Sequence, residues 1–225
     1  MSLDPDRITV TLDDSQTVSA LVLGPAKPAA CFVFAHGAGA GMEHGFMTRF
    51  AVGLAERDIA TLRYQFPYMQ AGNSRPDSPA VAHRAVRAAV AEAQTRFPGA
   101  PLFAGGKSFG ARMTSQAQAI DALPDVRGLV FVGFPLHPDK QPSIERARHL
   151  DDVRIPMLFL QGTRDGLADL ALVTSVAARL GALATLIEIA EADHSFHVLK
   201  RSGRTDAEVM DQLLDAAAAW MTALP

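Results

Sequence analysis

A single cysteine, Cys31, leaves nothing for a disulfide to join, so a small cross-linked secreted scaffold is excluded. It sits in an apolar run, where a buried strand thiol is expected rather than a reactive one. Basic runs are missing as well. The 21 Lys and Arg against 24 Asp and Glu give a net charge of −3, and nucleic-acid binding has no electrostatic footprint. No apolar stretch nears the roughly 20 residues that cross a bilayer. Met1–Arg7 lacks the basic and apolar regions of an export signal; a cytoplasmic protein without membrane partners is expected. The histidines are scattered with no H-E-x-x-H, so no metal centre is expected. The glycine-rich stretch 37–41 is followed by no G-K-[ST] and fits no dinucleotide fingerprint, so no cofactor is expected. No repeat, low-complexity tract or linker interrupts the chain, which reads as one domain over residues 1–225, of undetermined oligomeric state.

What is present is an alternation of strands and helices. Residues 8–12 and 17–23 alternate at period two around Asp13-Asp14-Ser15-Gln16, an antiparallel hairpin at a sheet edge. The continuous apolar run 30–35 reads as a buried parallel strand. Further strands are expected at 59–64, at a short run from Leu102, and at 128–132, 157–160 and 185–189. Helices are expected at 43–57, 77–97, 111–120, 168–180 and 206–223, with an irregular stretch at 134–153. This pattern implies a mostly parallel central sheet with helices on both faces, its site at the carboxyl ends of the strands.

The stretch Leu102–Arg112 organises the rest. Gly106-x-Ser108-x-Gly110 is the G-x-S-x-G of a nucleophile elbow, where a serine is held in a strained turn between strand and helix. Small residues two places to either side leave room for strand and helix to pass closely, and a positive φ is expected at Ser108. The turn would lift the Ser108 hydroxyl clear of the sheet and aim the Phe109 amide at a developing oxyanion, with the positive end of a helix behind it.

Other strand ends supply the rest of such a site. His36–Gly41 follows strand 30–35, and the Ala38 amide is the expected second oxyanion donor, with His36 structural. Asp165 follows strand 157–160 and is the expected acid, ahead of Asp169 one helical turn on. Strand 185–189 leads to two histidines. His194, earliest in the loop and next to Asp193, is the expected base ahead of His197. Tyr64, Phe66 and His137 follow strand ends and are candidate substrate contacts, with an anchoring role as the alternative for each.

Phe34–Met42, Gly105–Arg112, Phe134–Pro138, Gln161–Asp165 and Asp193–Phe196 occur in order and together resemble the small α/β-hydrolases related to the dienelactone hydrolases. More narrowly, they resemble the subfamily that includes the human testis-expressed α/β-hydrolase-like protein and the hydrolase-like domain of a chromatin-complex subunit. The resemblance runs from about residue 30 to the C-terminus. It implies an α/β-hydrolase fold without a large cap, and triad positions on Ser108, Asp165 and His194. The dienelactone hydrolases carry a cysteine nucleophile where Ser108 stands here, so lactone substrates are not carried over. The expectation is a serine hydrolase acting on carboxylic esters or thioesters of small to medium acyl groups, without a cofactor. The rival is an interaction module on the same fold with little or no turnover, since the subfamily includes members that act as scaffolds; acyl transfer to an acceptor other than water would use the same residues.

Overall fold

The computed structural model describes residues 4–13 and 15–224. Met1–Leu3 of the expected leaderless N-terminus, Asp14 of the expected hairpin turn, and Pro225 lie outside the described residues. Among the described residues, eight strands form one sheet: β1 (Asp6–Asp13), β2 (Gln16–Leu23), β3 (Ala30–Ala35), β4 (Ile59–Tyr64), β5 (Leu102–Lys107), β6 (Val126–Val132), β7 (Met157–Gly162) and β8 (Ala184–Ile189). Their order across the sheet is β1-β2-β4-β3-β5-β6-β7-β8. The β1–β2 and β2–β4 pairs are antiparallel and every other pair is parallel, so the hairpin occupies one edge as its alternation suggested.

The helices are α1 (Gly45–Ala55), α2 (Pro67–Gln70), α3 (Pro79–Arg96), α4 (Phe109–Ile120), α5 (Leu170–Leu180) and α6 (Asp206–Ala223). Alternation along each buried strand sends side chains to two separate cores. Cys31, Val33 and Ala35 of β3 join the core that holds the apolar faces of α3, α4 and α5, while Phe32 and Phe34 join the core beneath α1 and α6. Both phenylalanines are fully buried, and truncating either to alanine would cost about 3–5 kcal/mol. Helix α6 begins at a capping box in which Thr205 and Glu208 satisfy each other's backbone N–H groups. The resulting fold is that of an α/β-hydrolase. Among the described residues no domain is inserted over the carboxyl ends of the strands; the stretch expected to be irregular there holds one 3-10 helix, Glu145–Asp152.

Topology places the site. From β3 the chain crosses to β4 on one side, then returns past β3 to β5 on the other. The crevice at such a reversal, outside the carboxyl ends, is where an open α/β sheet leaves room for a ligand. The loop after β3 and the turn after β5 flank it, because Ala35 and Gly106 sit opposite each other in register.

Candidate active site

Lys107 ends β5, Phe109 begins α4, and Ser108 alone makes the turn between them, with φ 51° and ψ −112°. Such backbone is costly for a residue with a Cβ and persists only where its surroundings over-determine it. The two glycines explain how the turn fits. A Cβ on Gly106 would lie 2.6 Å from the Ala35 oxygen and 2.7 Å from the Gly110 carbonyl carbon. One on Gly110 would lie 2.5 Å from the Ala35 oxygen. The second glycine, on α4, is therefore required by the close approach of the neighbouring strand β3.

The Ser108 side chain makes no capping bond to α4. Its hydroxyl instead lies 2.8 Å from His194 Nε2, and His194 Nδ1 lies 2.7 Å from Asp165 Oδ2. A carboxylate only accepts, so Nδ1–H donates to Asp165, which leaves Nε2 as the acceptor for the serine O–H. The carboxylate is itself fixed. Leu167 N–H donates to Oδ1 at 2.8 Å and the Gln161 side-chain amide donates to Oδ2 at 2.6 Å. Gln161 Oε1 accepts from Phe134 N–H at 3.0 Å, which settles which way its amide points. The Asp165 side chain is 1% exposed, whereas the imidazole keeps 22% of its surface.

The loop after β3 faces this pair. Among the described residues the N–H groups of Ala38 and Phe109 have no protein acceptor, and Ala38 and Ser108 line the same cleft. The loop is held by side chains from β4, α2 and the link between them. Tyr68 O–H accepts from Gly39 N–H, Gln65 Oε1 accepts from Met42 N–H, and buried Arg63 donates to the Met42 carbonyl, each at 3.1 Å. Desolvation pulls the Arg63 guanidinium down to about 10, against the attraction of Glu43. His36 is structural, as its position suggested: Nδ1–H donates to Gly37 O at 2.8 Å and Nε2 accepts from Phe66 N–H at 3.1 Å. Burial pulls its pKa down to about 4, so it stays neutral.

The remaining candidates lie elsewhere. Asp169 caps α5 by accepting from Leu172 N–H at 3.1 Å. His197 is exposed and bonds Asp206 at 2.8 Å. Three expected substrate contacts need correction. Tyr64 and Phe66 are fully buried and His137 is 3% exposed. Tyr64 continues the inward alternation of β4 into the core beside α3 and α4. Phe66 packs edge-on against His36 and Phe109. His137 donates from Nδ1 to Pro138 O and accepts at Nε2 from Asp169 N–H, both at 2.8 Å, so it ties its loop to the start of α5. The cleft beside Ser108, about 370 Å³, is walled instead by Ala38, Ala40, Phe46, Met47 and Leu167, with Lys107 and His44 as its other polar groups besides Ser195.

Gln161 and Lys107 are the functional candidates that sequence pattern misses. Each offers a faint signal: a polar residue next to a glycine at the carboxyl end of an apolar strand.

The profile of the α/β-hydrolase domain family matches residues 28–222. The chain belongs to that family. Among solved structures, this α/β-hydrolase superposes on XC6422 from Xanthomonas campestris, described as a serine hydrolase without a lid, with a TM-score of 0.75 at 20% identity, over 100% of this chain and 99% of that one. A dienelactone hydrolase from Anabaena variabilis gives 0.76 at 16% identity, over 98% and 99%. Est1E from Butyrivibrio proteoclasticus gives 0.68 at 15% identity, over 94% and 99%. At these identities the likeness is one of fold. Among the described residues no helix is long and apolar enough to cross a membrane.

Proposed function

We propose that this α/β-hydrolase is a serine hydrolase that cleaves carboxylic esters or thioesters of small to medium acyl groups through an acyl-enzyme on Ser108. The observation that carries this reading is the unbroken chain from Ser108 through His194 to Asp165 at 2.8 and 2.7 Å, at the floor of an apolar cleft. As Ser108 Oγ attacks the carbonyl carbon, its proton passes to His194 Nε2, and Asp165 stabilises the imidazolium that forms. The carbonyl oxygen becomes negative where the Ala38 and Phe109 N–H groups have no other acceptor. His194 then protonates the departing alcohol or thiol. A water enters, gives its proton to Nε2, and attacks the acyl carbon, which releases the acid and restores Ser108.

Phe46, Met47 and Leu167 support an apolar acyl chain as the group bound in the cleft. The ordered motifs of the chain also support a place in the narrower testis-expressed subgroup, as part of the same proposal.

The test is turnover across p-nitrophenyl esters from acetyl to decanoyl, with the matching thioesters. Activity on the shorter members, falling by about 10⁴-fold or more in Ser108→Ala, is expected. Equal rates in the native protein and Ser108→Ala would give the chain to the interaction-module reading.

A further inference from the structure

The elbow carries a charged residue that the triad does not use. Lys107 stands immediately before Ser108 and lines the same cleft. Its Nζ donates to the backbone carbonyl of His194 at 2.6 Å. The ammonium also lies over two aromatic rings, 5.9 Å from the centroid of Phe46 on α1 and 5.3 Å from that of Phe196 in the histidine loop. A Cβ on Gly133, at the end of β6, would come within 3.1 Å of Nζ. One ammonium thus joins the end of β5, the start of α1, the end of β6 and the loop that carries the base.

Among the described residues Lys107 has no carboxylate within ion-pair distance, and its hydrogen-bond acceptor is the carbonyl of the very residue whose imidazole faces Ser108. A surface lysine would gain more by staying in water, since exposed ammonium groups are strongly hydrated. The position makes sense as an anchor. Asp193 folds the loop from Ala190 to Val198 on itself by accepting from the Ser195 and His197 N–H groups at 2.8 and 3.0 Å. The loop is tied to the fold at its two ends, where Glu191 N–H donates to Thr163 Oγ1 and Ala192 O accepts from Arg164 N–H, both at 2.9 Å, and Val198 N–H donates to Asp206 at 3.0 Å. Between those ends, Lys107 holds the His194 carbonyl.

We propose that Lys107 is a positioning residue that fixes the His194 peptide, and through it the imidazole, at proton-transfer distance from Ser108. This rests on the hydrolase reading above. A charge-assisted bond is about twice as strong as a neutral one, so the anchor holds best while the amine is protonated. Desolvation pulls its pKa down to about 8, partly opposed by the negative charges of Asp165 and Asp193. His194 and His44 are the other titratable groups that share the cleft with it. The anchor is therefore full below that value and weakens as pH rises through it.

Three measurements test this. In Lys107→Met, kcat should fall by roughly 10²-fold, the effect expected of a small misplacement at a reacting centre, while KM changes little. In Lys107→Cys, treatment with 2-bromoethylamine converts residue 107 to a near-isostere of lysine, and buried Cys31 is protected from the reagent. The modified protein should regain most of kcat, whereas capping the same thiol with iodoacetamide should not. In the native protein, the low-field NMR signal of the His194 Nδ1 proton should shift as pH rises through about 8; in Lys107→Met, which lacks the anchor at every pH, this shift should be absent. That readout needs no turnover, so it still decides the role of Lys107 if esters are not substrates. Native kcat in Lys107→Met would overturn the proposal. So would aminoethylation that restores the melting temperature without kcat, or, should Lys107→Met fail to fold, a native Nδ1 signal that does not move between pH 7 and 9.

Discussion

Two histidine–aspartate pairs lie three residues apart in the loop after β8, and they could hardly differ more in setting. His194 meets Asp165 at 2.7 Å and His197 meets Asp206 at 2.8 Å, so the bonds themselves are alike. The first carboxylate is 1% exposed and the second 58%. His194 presents its other nitrogen to Ser108, while Asp206 sits in the first turn of α6 and also accepts from Val198 N–H at 3.0 Å. A carboxylate on one ring nitrogen orients a histidine. What makes it a general base is the group on the other nitrogen and the shelter around both.

The largest expected effects fall on the sheltered pair. His194→Ala should lower kcat by about 10⁴-fold or more, with Ser108→Ala/His194→Ala scarcely worse than either single change, because these residues act as a unit. His197→Ala should keep kcat within about threefold, since surface changes away from the chemistry usually shift energies by under about 0.5 kcal/mol. Steady-state kinetics of the four proteins would break the comparison if the order reversed.

Asp165→Asn should come next, at about 10⁴-fold in kcat with the fold retained. Leu167 N–H holds the amide oxygen at Oδ1, so the –NH2 must occupy the place where His194 and Gln161 both donate. The imidazole is then driven to the tautomer that carries its proton on Nε2, and Nε2 can no longer accept from Ser108. Asp206→Asn should leave kcat unchanged and lower stability by at most about 1 kcal/mol, read from the denaturation midpoint.

The smallest effect is on pH dependence of stability. Bonding to Asp206, then its charge, raises the His197 pKa above the ordinary value. A raised folded-state value means that the pair's contribution is complete below the unfolded pKa and is lost as pH rises through the folded one. Denaturation of the native protein should show this shallow decline above about pH 6.5, and His197→Gln should remove it. An unchanged slope would show that the exposed pair contributes nothing.

The same loop shows what sequence reading reaches. Order along the chain singled out His194, which the fold brings within 2.8 Å of Ser108. Period-two alternation marked the edge hairpin, a continuous apolar run the buried strand β3, and the succession of strands and helices the covered sheet. The neighbouring Asp193 is not the carboxylate that His194 meets. Asp193 folds the loop by accepting its N–H groups, and the partner of His194 is Asp165, from a different strand end. Contacts between separate strands carry no local signal. Tyr64 was equally illegible: lying at a carboxyl end does not say which face of the sheet a residue points to, and here it points into the core. The short helix α2 is one turn long, too brief for any period to show. Lys107 hid within the elbow motif as its variable residue.

The central claim is that His194 activates Ser108 as a nucleophile, and intact mass after treatment with a fluorophosphonate tests it most directly. One adduct is expected, mapped to Ser108, absent in Ser108→Ala and strongly slowed in His194→Ala but not in His197→Ala. A protein that stays unlabelled, or that labels equally well without His194, would contradict the account.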